Sequence, residues 1–151
     1  MDEMITTDLK KFLVFKLGNE EYGIDIQKIT TIIEKDMNIT RVPRTPGFLK
    51  GVINLRGEII PIIHLRKKFG LSEIEDTEET RIIIIKLDEI AVGLIVDAVA
   101  EVIELDEDSI ENVTNFGGVL SAEYLHGVGK INGRIVTLLN LEKLIRLENG
   151  D

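Results

Sequence analysis

The 151 residues contain no cysteine and no tryptophan, and only three prolines, two histidines and two tyrosines. Without cysteine there are no disulfides, no thiolate nucleophile and no thiolate-built zinc or iron-sulfur site, so the fold rests on its core alone. His64 and His126 are too few for a histidine-rich metal site. No apolar run approaches the roughly 20 residues needed to cross a bilayer. The opening MDEMITTDLKKFLVF has acids ahead of its first apolar stretch and no small-residue cleavage site, so it does not read as a signal peptide. The expected location is the cytoplasm. Lysine and arginine number 18 against 27 acids, and the resulting net charge of −9 opposes binding to phosphate backbones. A nucleic-acid-binding barrel would also need stacking aromatics along a basic groove, and Tyr22 and Tyr124 are a thin supply.

What the chain does have is a repeat. Residues 16–33 (KLGNEEYGIDIQKITTII) align without a gap on 86–103 (KLDEIAVGLIVDAVAEVI), sharing Lys16/Lys86, Leu17/Leu87, Gly23/Gly93 and Ile33/Ile103. Residues 51–69 (GVINLRGEIIPIIHLRKKF) align on 127–145 (GVGKINGRIVTLLNLEKLI), sharing the opening Gly-Val, Gly57/Gly133, Ile59/Ile135 and Leu65/Leu141. The offset is 70 in the first block and 76 in the second, so two copies of one β-rich unit stand in tandem.

Each copy begins with a hairpin, around Gly18-Asn19 in the first and Asp88-Glu89 in the second, and ends in another hairpin followed by a short helix. Arg81–Leu87 is continuously apolar at its centre, which predicts a strand covered on both faces, one toward its own lobe and one toward the other lobe or a partner. The expected architecture is all-β with short helices, in two small barrels that unfold as one body. Its first unit spans about 11–70 and its second about 81–140, joined by a polar, acidic linker at about 71–80 and closed by a helix at about 141–147.

Little here is catalytic. Asp25, Asp97 and Glu101 would form a carboxylate group only if the hairpins converge, and an enzyme reading would rest on Asp25 or Asp97. Gly127-Val-Gly-Lys-Ile-Asn-Gly133 is not a dinucleotide fingerprint, no phosphate loop is present, and no serine sits in a nucleophile elbow. His64 aligns with Asn140, where an end-of-strand polar residue suffices, so a structural role is expected for it.

One hairpin departs from its twin. Ile131-Asn-Gly-Arg134 carries Asn-Gly, whose residues both tolerate positive φ, but the first copy has Leu55-Arg-Gly-Glu58. Arginine gains nothing from a left-handed backbone and brings a cationic fork. Two explanations stand: a three-residue turn in which Gly57 alone takes positive φ, or an arginine kept for recognition. Pro61, which cannot donate a ladder hydrogen bond, adds an edge or bulge to the following strand.

Phe12-Leu-Val-Phe15, Glu21-Tyr-Gly-Ile-Asp25, Pro46-Gly-Phe48, Lys50-Gly-Val-Ile-Asn-Leu-Arg-Gly57 and Ile60-Pro-Ile-Ile-His-Leu-Arg66 together resemble the CheW family of bacterial chemotaxis coupling proteins. Val92-Gly-Leu-Ile-Val-Asp97 and the Ile131 hairpin continue the likeness, which covers 11–147. The resemblance implies two side-by-side five-stranded SH3-like β-barrels. It also implies a non-enzymatic adaptor without cofactor, cytoplasmic and placed at membrane-associated receptor arrays without inserting into the membrane. The implied partners are the regulatory domain of the chemotaxis histidine kinase and the cytoplasmic tips of methyl-accepting chemoreceptors. By motif position, Arg56, Gly57 and Ile29 fall where the family contacts receptor, and Gly93, Val99 and Val102 where it contacts receptor or kinase. One extra residue between Ile33 and Thr45 keeps positions inside 34–44 from being carried over. The chain ends soon after its terminal helix, so a free adaptor is expected rather than part of a kinase.

Overall fold

The structure is a computed structural model that describes residues 9–34, 38–112 and 124–149. Ten strands follow in order: β1 Leu9–Leu17, β2 Glu20–Asp25, β3 Ile29–Glu34, β4 Leu49–Leu55, β5 Glu58–His64, β6 Arg81–Leu87, β7 Ile90–Val96, β8 Ala98–Asp106, β9 Leu125–Ile131 and β10 Arg134–Leu139. Helix α1, Leu65–Lys68, follows β5 and helix α2, Leu141–Asn149, follows β10. The repeat is thus a repeat of structure, since β1 to β5 with α1 correspond element by element to β6 to β10 with α2.

The strands form two five-stranded sheets, in the orders β8-β1-β2-β10-β9 and β3-β6-β7-β5-β4. Renumbering each strand by its repeat partner turns one order into the other. The expected boundaries at 11–70 and 81–140 are therefore corrected: neither sheet is built from one copy. Each takes two strands from one copy and three from the other. The reason lies in the connections after β2 and β7. Only Asp97 separates β7 from β8, and a single residue cannot return a strand antiparallel beside its predecessor, so the chain passes to the other sheet. After β2 the same crossing is made by a three-residue 3-10 turn, Ile26–Lys28, whose start is capped by the Asp25 side chain accepting from Gln27 N–H.

Two glycines common to both copies allow each sheet to curl into a barrel. Thr40 exchanges two backbone hydrogen bonds with Val52 at 2.8 Å, and Glu111 exchanges two with Val128 at 3.0 and 2.8 Å. These bridges carry the chain beyond β3 and β8 onto the far edge strands β4 and β9. A Cβ on Gly51 would lie 2.2 Å from the Thr40 carbonyl oxygen, and one on Gly127 would lie 2.8 Å from that of Glu111. The closing segment can come so near only because both residues are glycine. In the barrel wall, β5 runs parallel to β7 with Ile62 beside Gly93, and β10 parallel to β2 with Leu138 beside Gly23. A Cβ on Gly93 would meet Ile62 Cδ1 at 2.5 Å, and one on Gly23 would meet Leu138 Cδ2 at 2.8 Å.

Three apolar clusters follow from strand alternation. Phe12 and Val14 of β1 point into one barrel with Ile103, Leu105, Val136 and Leu138. Ile82 and Ile84 of β6 point into the other with Ile53, Ile60, Ile62 and Ile95. The alternate residues, Leu13, Phe15 and Leu17 of β1 with Ile83, Ile85 and Leu87 of β6, meet in a third layer shared by the sheets and covered by Leu65, Leu141, Leu144 and Ile145 of the two helices. The continuous apolar run at Arg81–Leu87 thus serves both faces, its second face meeting the other lobe. A run of stacked and tilted rings, Phe15, Tyr22, Phe69 and Tyr124, with centroids 5.6 to 6.3 Å apart, crosses the same layer.

His64 and Asn140 occupy one repeat position, before α1 and α2. Their backbone N–H groups donate to Phe48 and Tyr124 carbonyls, themselves repeat partners, at 2.7 and 2.8 Å. Asn140 Oδ1 also caps α2 by accepting from Lys143 N–H, whereas the buried His64 side chain makes no cap. Burial pushes the His64 pKa below its ordinary value, assisted by Lys50 and Lys67 and opposed by Glu73 and Asp76.

Because the sheets exchange strands and share one apolar layer, calorimetry should show a single unfolding transition, and Ile84→Asp should abolish both barrels together; two separated transitions in the unmodified protein would contradict this. Gly93→Ala presses only on side-chain ends and should cost about 1–3 kcal/mol in denaturant unfolding, whereas Gly51→Ala meets backbone and should cost more. The folded state disfavours protonated His64, so stability should fall as pH drops below the ordinary histidine value of 6.5 until the folded-state pKa is passed. His64→Asn should flatten that part of the stability profile, and an unchanged slope would count against the assignment.

Candidate partner-binding site

The hairpin between β4 and β5 is a two-residue turn, with Leu55 paired to Glu58. Arg56 takes φ 55° and Gly57 φ 86°, nearly the values of Asn132 and Gly133 at 51° and 79°. The three-residue alternative, with Gly57 alone left-handed, is thereby removed. Arg56 occupies a backbone well that asparagine enters more cheaply, at a cost of roughly 1–2 kcal/mol for an ordinary L-residue. Asn54 Oδ1 accepts from Gly57 N–H at 3.0 Å and braces the turn from within. The Arg56 side chain is exposed and meets no carboxylate among the described residues. Its fork is free for another molecule.

Ile29 opens β3 and Val99 lies near the start of β8, opposite Ile85 and Phe15 in equivalent registers. Both are half-buried against the layer shared by the sheets. Val102 is 47% exposed, and Ile32, its repeat partner, is 38% exposed. Each outer strand thus offers one apolar side chain to solvent at the same structural position. Ile32 was not singled out by sequence reasoning, although the offset of 70 from Val102 would have found it. Gly93 differs from the rest: it is buried in the barrel wall and has no surface to offer a partner.

The carboxylates considered for catalysis do not converge. Asp25 caps the 3-10 turn after β2, and Glu101 pairs with Arg134 on β10. Asp97 lies at the β7 to β8 crossing, where Arg66 of α1 binds it through Nε at 3.0 and 3.1 Å and through a terminal nitrogen at 2.8 Å. The same carboxylate accepts from Gly18 N–H at 2.7 Å, in the β1 to β2 turn of the other sheet. Burial raises its pKa, but Arg66 and the Gly18 amide outweigh burial and hold it below the usual carboxylate value. This contact clamps the two sheets where the chain passes between them. Sequence reasoning missed it, because Arg66 and Asp97 are 31 residues apart and only the exchanged topology brings them together. Among the described residues no group of three or more histidine, aspartate or glutamate side chains is placed to hold a metal ion, and no helix is long and apolar enough to cross a membrane.

The geometry offers two surface features: an exposed arginine hairpin on one sheet and matched apolar positions on β3 and β8. A family model described as CheW-like domain matches residues 11–149. The chain is 43% identical to the chemotaxis protein CheW of Klebsiella aerogenes over 139 residues, covering 92% of this chain and 83% of that one. It is 35% identical to the chemotaxis protein CheW of Thermotoga maritima over 141 residues, covering 91% and 89%. The crystal structure of the scaffolding protein TtCheW from Thermoanaerobacter tengcongensis superposes with a TM-score of 0.86 at 40% identity, covering 94% of this chain and 95% of that one. Its two-lobed fold is the one described above. The chain belongs to the CheW family of chemotaxis proteins.

Proposed function

We propose that the protein is a non-enzymatic adaptor that couples the cytoplasmic tips of methyl-accepting chemoreceptors to the regulatory domain of the chemotaxis histidine kinase. It works in the cytoplasm at membrane-associated receptor arrays and needs no cofactor. Arg56 carries the reading. A turn that asparagine or glycine would form at lower cost is filled by a long, exposed cation that pairs with no carboxylate among the described residues, and such local cost is tolerated where the side chain serves recognition. In this reading the Arg56-Gly57 turn and Ile29 face the receptor tip, a helical hairpin whose apolar stripe packs on apolar positions. Val99 and Val102 take part in receptor or kinase contact, while Gly93 acts on those contacts indirectly, by letting β5 approach β7. The exchanged sheets supply a rigid frame that keeps the two contact surfaces at a fixed distance.

Arg56→Asn should keep or raise thermal stability, by about 0.5–1 kcal/mol from relief of the left-handed arginine, while receptor control of kinase activity is lost in a reconstituted array. Arg56→Glu should weaken receptor binding further and leave kinase-domain binding nearly unchanged. Normal coupling by both variants would return Arg56 to the role of a solvated turn residue. Equal loss of both partners with a lower melting temperature would make it a residue of the fold.

A further inference from the structure

A small pocket of about 110 Å³ lies between the 41–50 loop and the start of α1, lined by Arg41, Lys50, His64, Lys67 and Glu73 among others. It gathers three cations in a chain whose net charge is −9. Its carboxylate, Glu73 of the acidic linker, is held loosely, with Oε1 3.5 Å from Lys67 Nζ and Oε2 3.8 Å from His64 Nε2. Both distances exceed a normal hydrogen bond, and the Glu73 side chain is half exposed. Among the described residues no carboxylate comes within ion-pair distance of Arg41 or Lys50. His64 is only 6% exposed, and its Nδ1 has no hydrogen-bond partner. The loop that delivers Arg41 also holds Arg44 at φ 63°, a second arginine in a backbone well that does not favour it.

These are the components of a carboxylate receptor: a planar guanidinium suited to two parallel N–H to oxygen bonds, two ammonium groups, and an imidazole whose Nε2 faces the resident carboxylate at 3.8 Å without a hydrogen bond to it. We propose that the pocket receives an aspartate or glutamate side chain of a docked protein partner, and that Glu73 is the resident carboxylate which this side chain displaces. The inference rests on the adaptor reading for the existence of the partner. It adds a recognition element about which the family's arginine turn says nothing. Thr40, the neighbour of Arg41, is tied to Val52 by two backbone hydrogen bonds of 2.8 Å, so the backbone at Arg41 is placed before the partner arrives.

The test compares the full-length protein with Glu73→Gln, Lys50→Glu and Lys50→Arg, each titrated with a chemoreceptor cytoplasmic fragment and, separately, with the kinase regulatory domain. Glu73→Gln should tighten one of the two complexes about threefold, and Lys50→Glu should weaken the same complex about tenfold, with Lys50→Arg close to the unmodified protein. In parallel, acetate is titrated while the His64 ring resonances are followed; Glu73→Gln should saturate at lower acetate than the unmodified protein. Equal affinities of all four proteins for both partners would overturn the pocket while leaving the adaptor reading intact. If the unmodified protein bound neither partner, the adaptor reading would fall, and with it the protein partner proposed for this pocket. A His64 resonance indifferent to acetate in Glu73→Gln would likewise sink it.

Discussion

Strands β1 and β6 have no solvent face over their central residues. Phe12 and Val14 fill one barrel while Leu13 and Phe15 fill the layer between sheets, and Ile82 to Ile85 do the same for the other barrel. Burying a side chain of this size stabilises by roughly 1.5–3 kcal/mol, so two strands buried on both sides anchor the whole domain. Everything else is arranged around keeping them covered. Each is flanked by its own hairpin partner and by an outer strand from the other copy, and the helices cap the shared layer. Neither half can be taken away without exposing an apolar face of the other.

The exchange of strands converts a tandem repeat into a single mechanical unit. Its weakest points would be the two crossings, where the chain leaves one sheet for the other. One is fastened by Arg66, Asp97 and the Gly18 amide. At the other, Lys28 meets Glu142 at 3.3 Å, and Glu142 is the repeat partner of Arg66. The polarity is reversed between the halves, and the second pair is exposed and contributes little. A partially buried, multiply bonded clamp on one side and a solvated pair on the other make the two halves unequal in rigidity despite their common topology.

Much of this was legible in the sequence. The two offsets gave the four hairpins and the short helices, the resemblance to the CheW family gave the fifth strand of each barrel, and the run at Arg81–Leu87 announced a strand covered on both faces. The turn at Arg56 stood out because its twin carries Asn-Gly. What the sequence concealed was pairing between distant segments. Boundaries drawn between copies missed the exchange, since nothing local distinguishes a strand that returns beside its neighbour from one that crosses; the clue was the single residue left between β7 and β8. The shared glycines were visible as identities, but their reason, backbone or side chain arriving within 3 Å of an absent Cβ, belongs to the closed barrels. His64 was expected to be structural from its match to Asn140, yet its burial beside three cations gives it a setting that asparagine in the other half does not share.

The central claim is that one rigid frame presents separate surfaces to two partners, with the Arg56 hairpin reserved for one of them. Amide hydrogen exchange on the full-length protein, free, with a chemoreceptor cytoplasmic fragment and with the kinase regulatory domain, tests it most directly. The account predicts new protection across the β4 to β5 hairpin and the start of β3 with the receptor fragment, and protection elsewhere with the kinase domain. Protection of the same residues by both partners, or none at the hairpin with the receptor fragment, would contradict it.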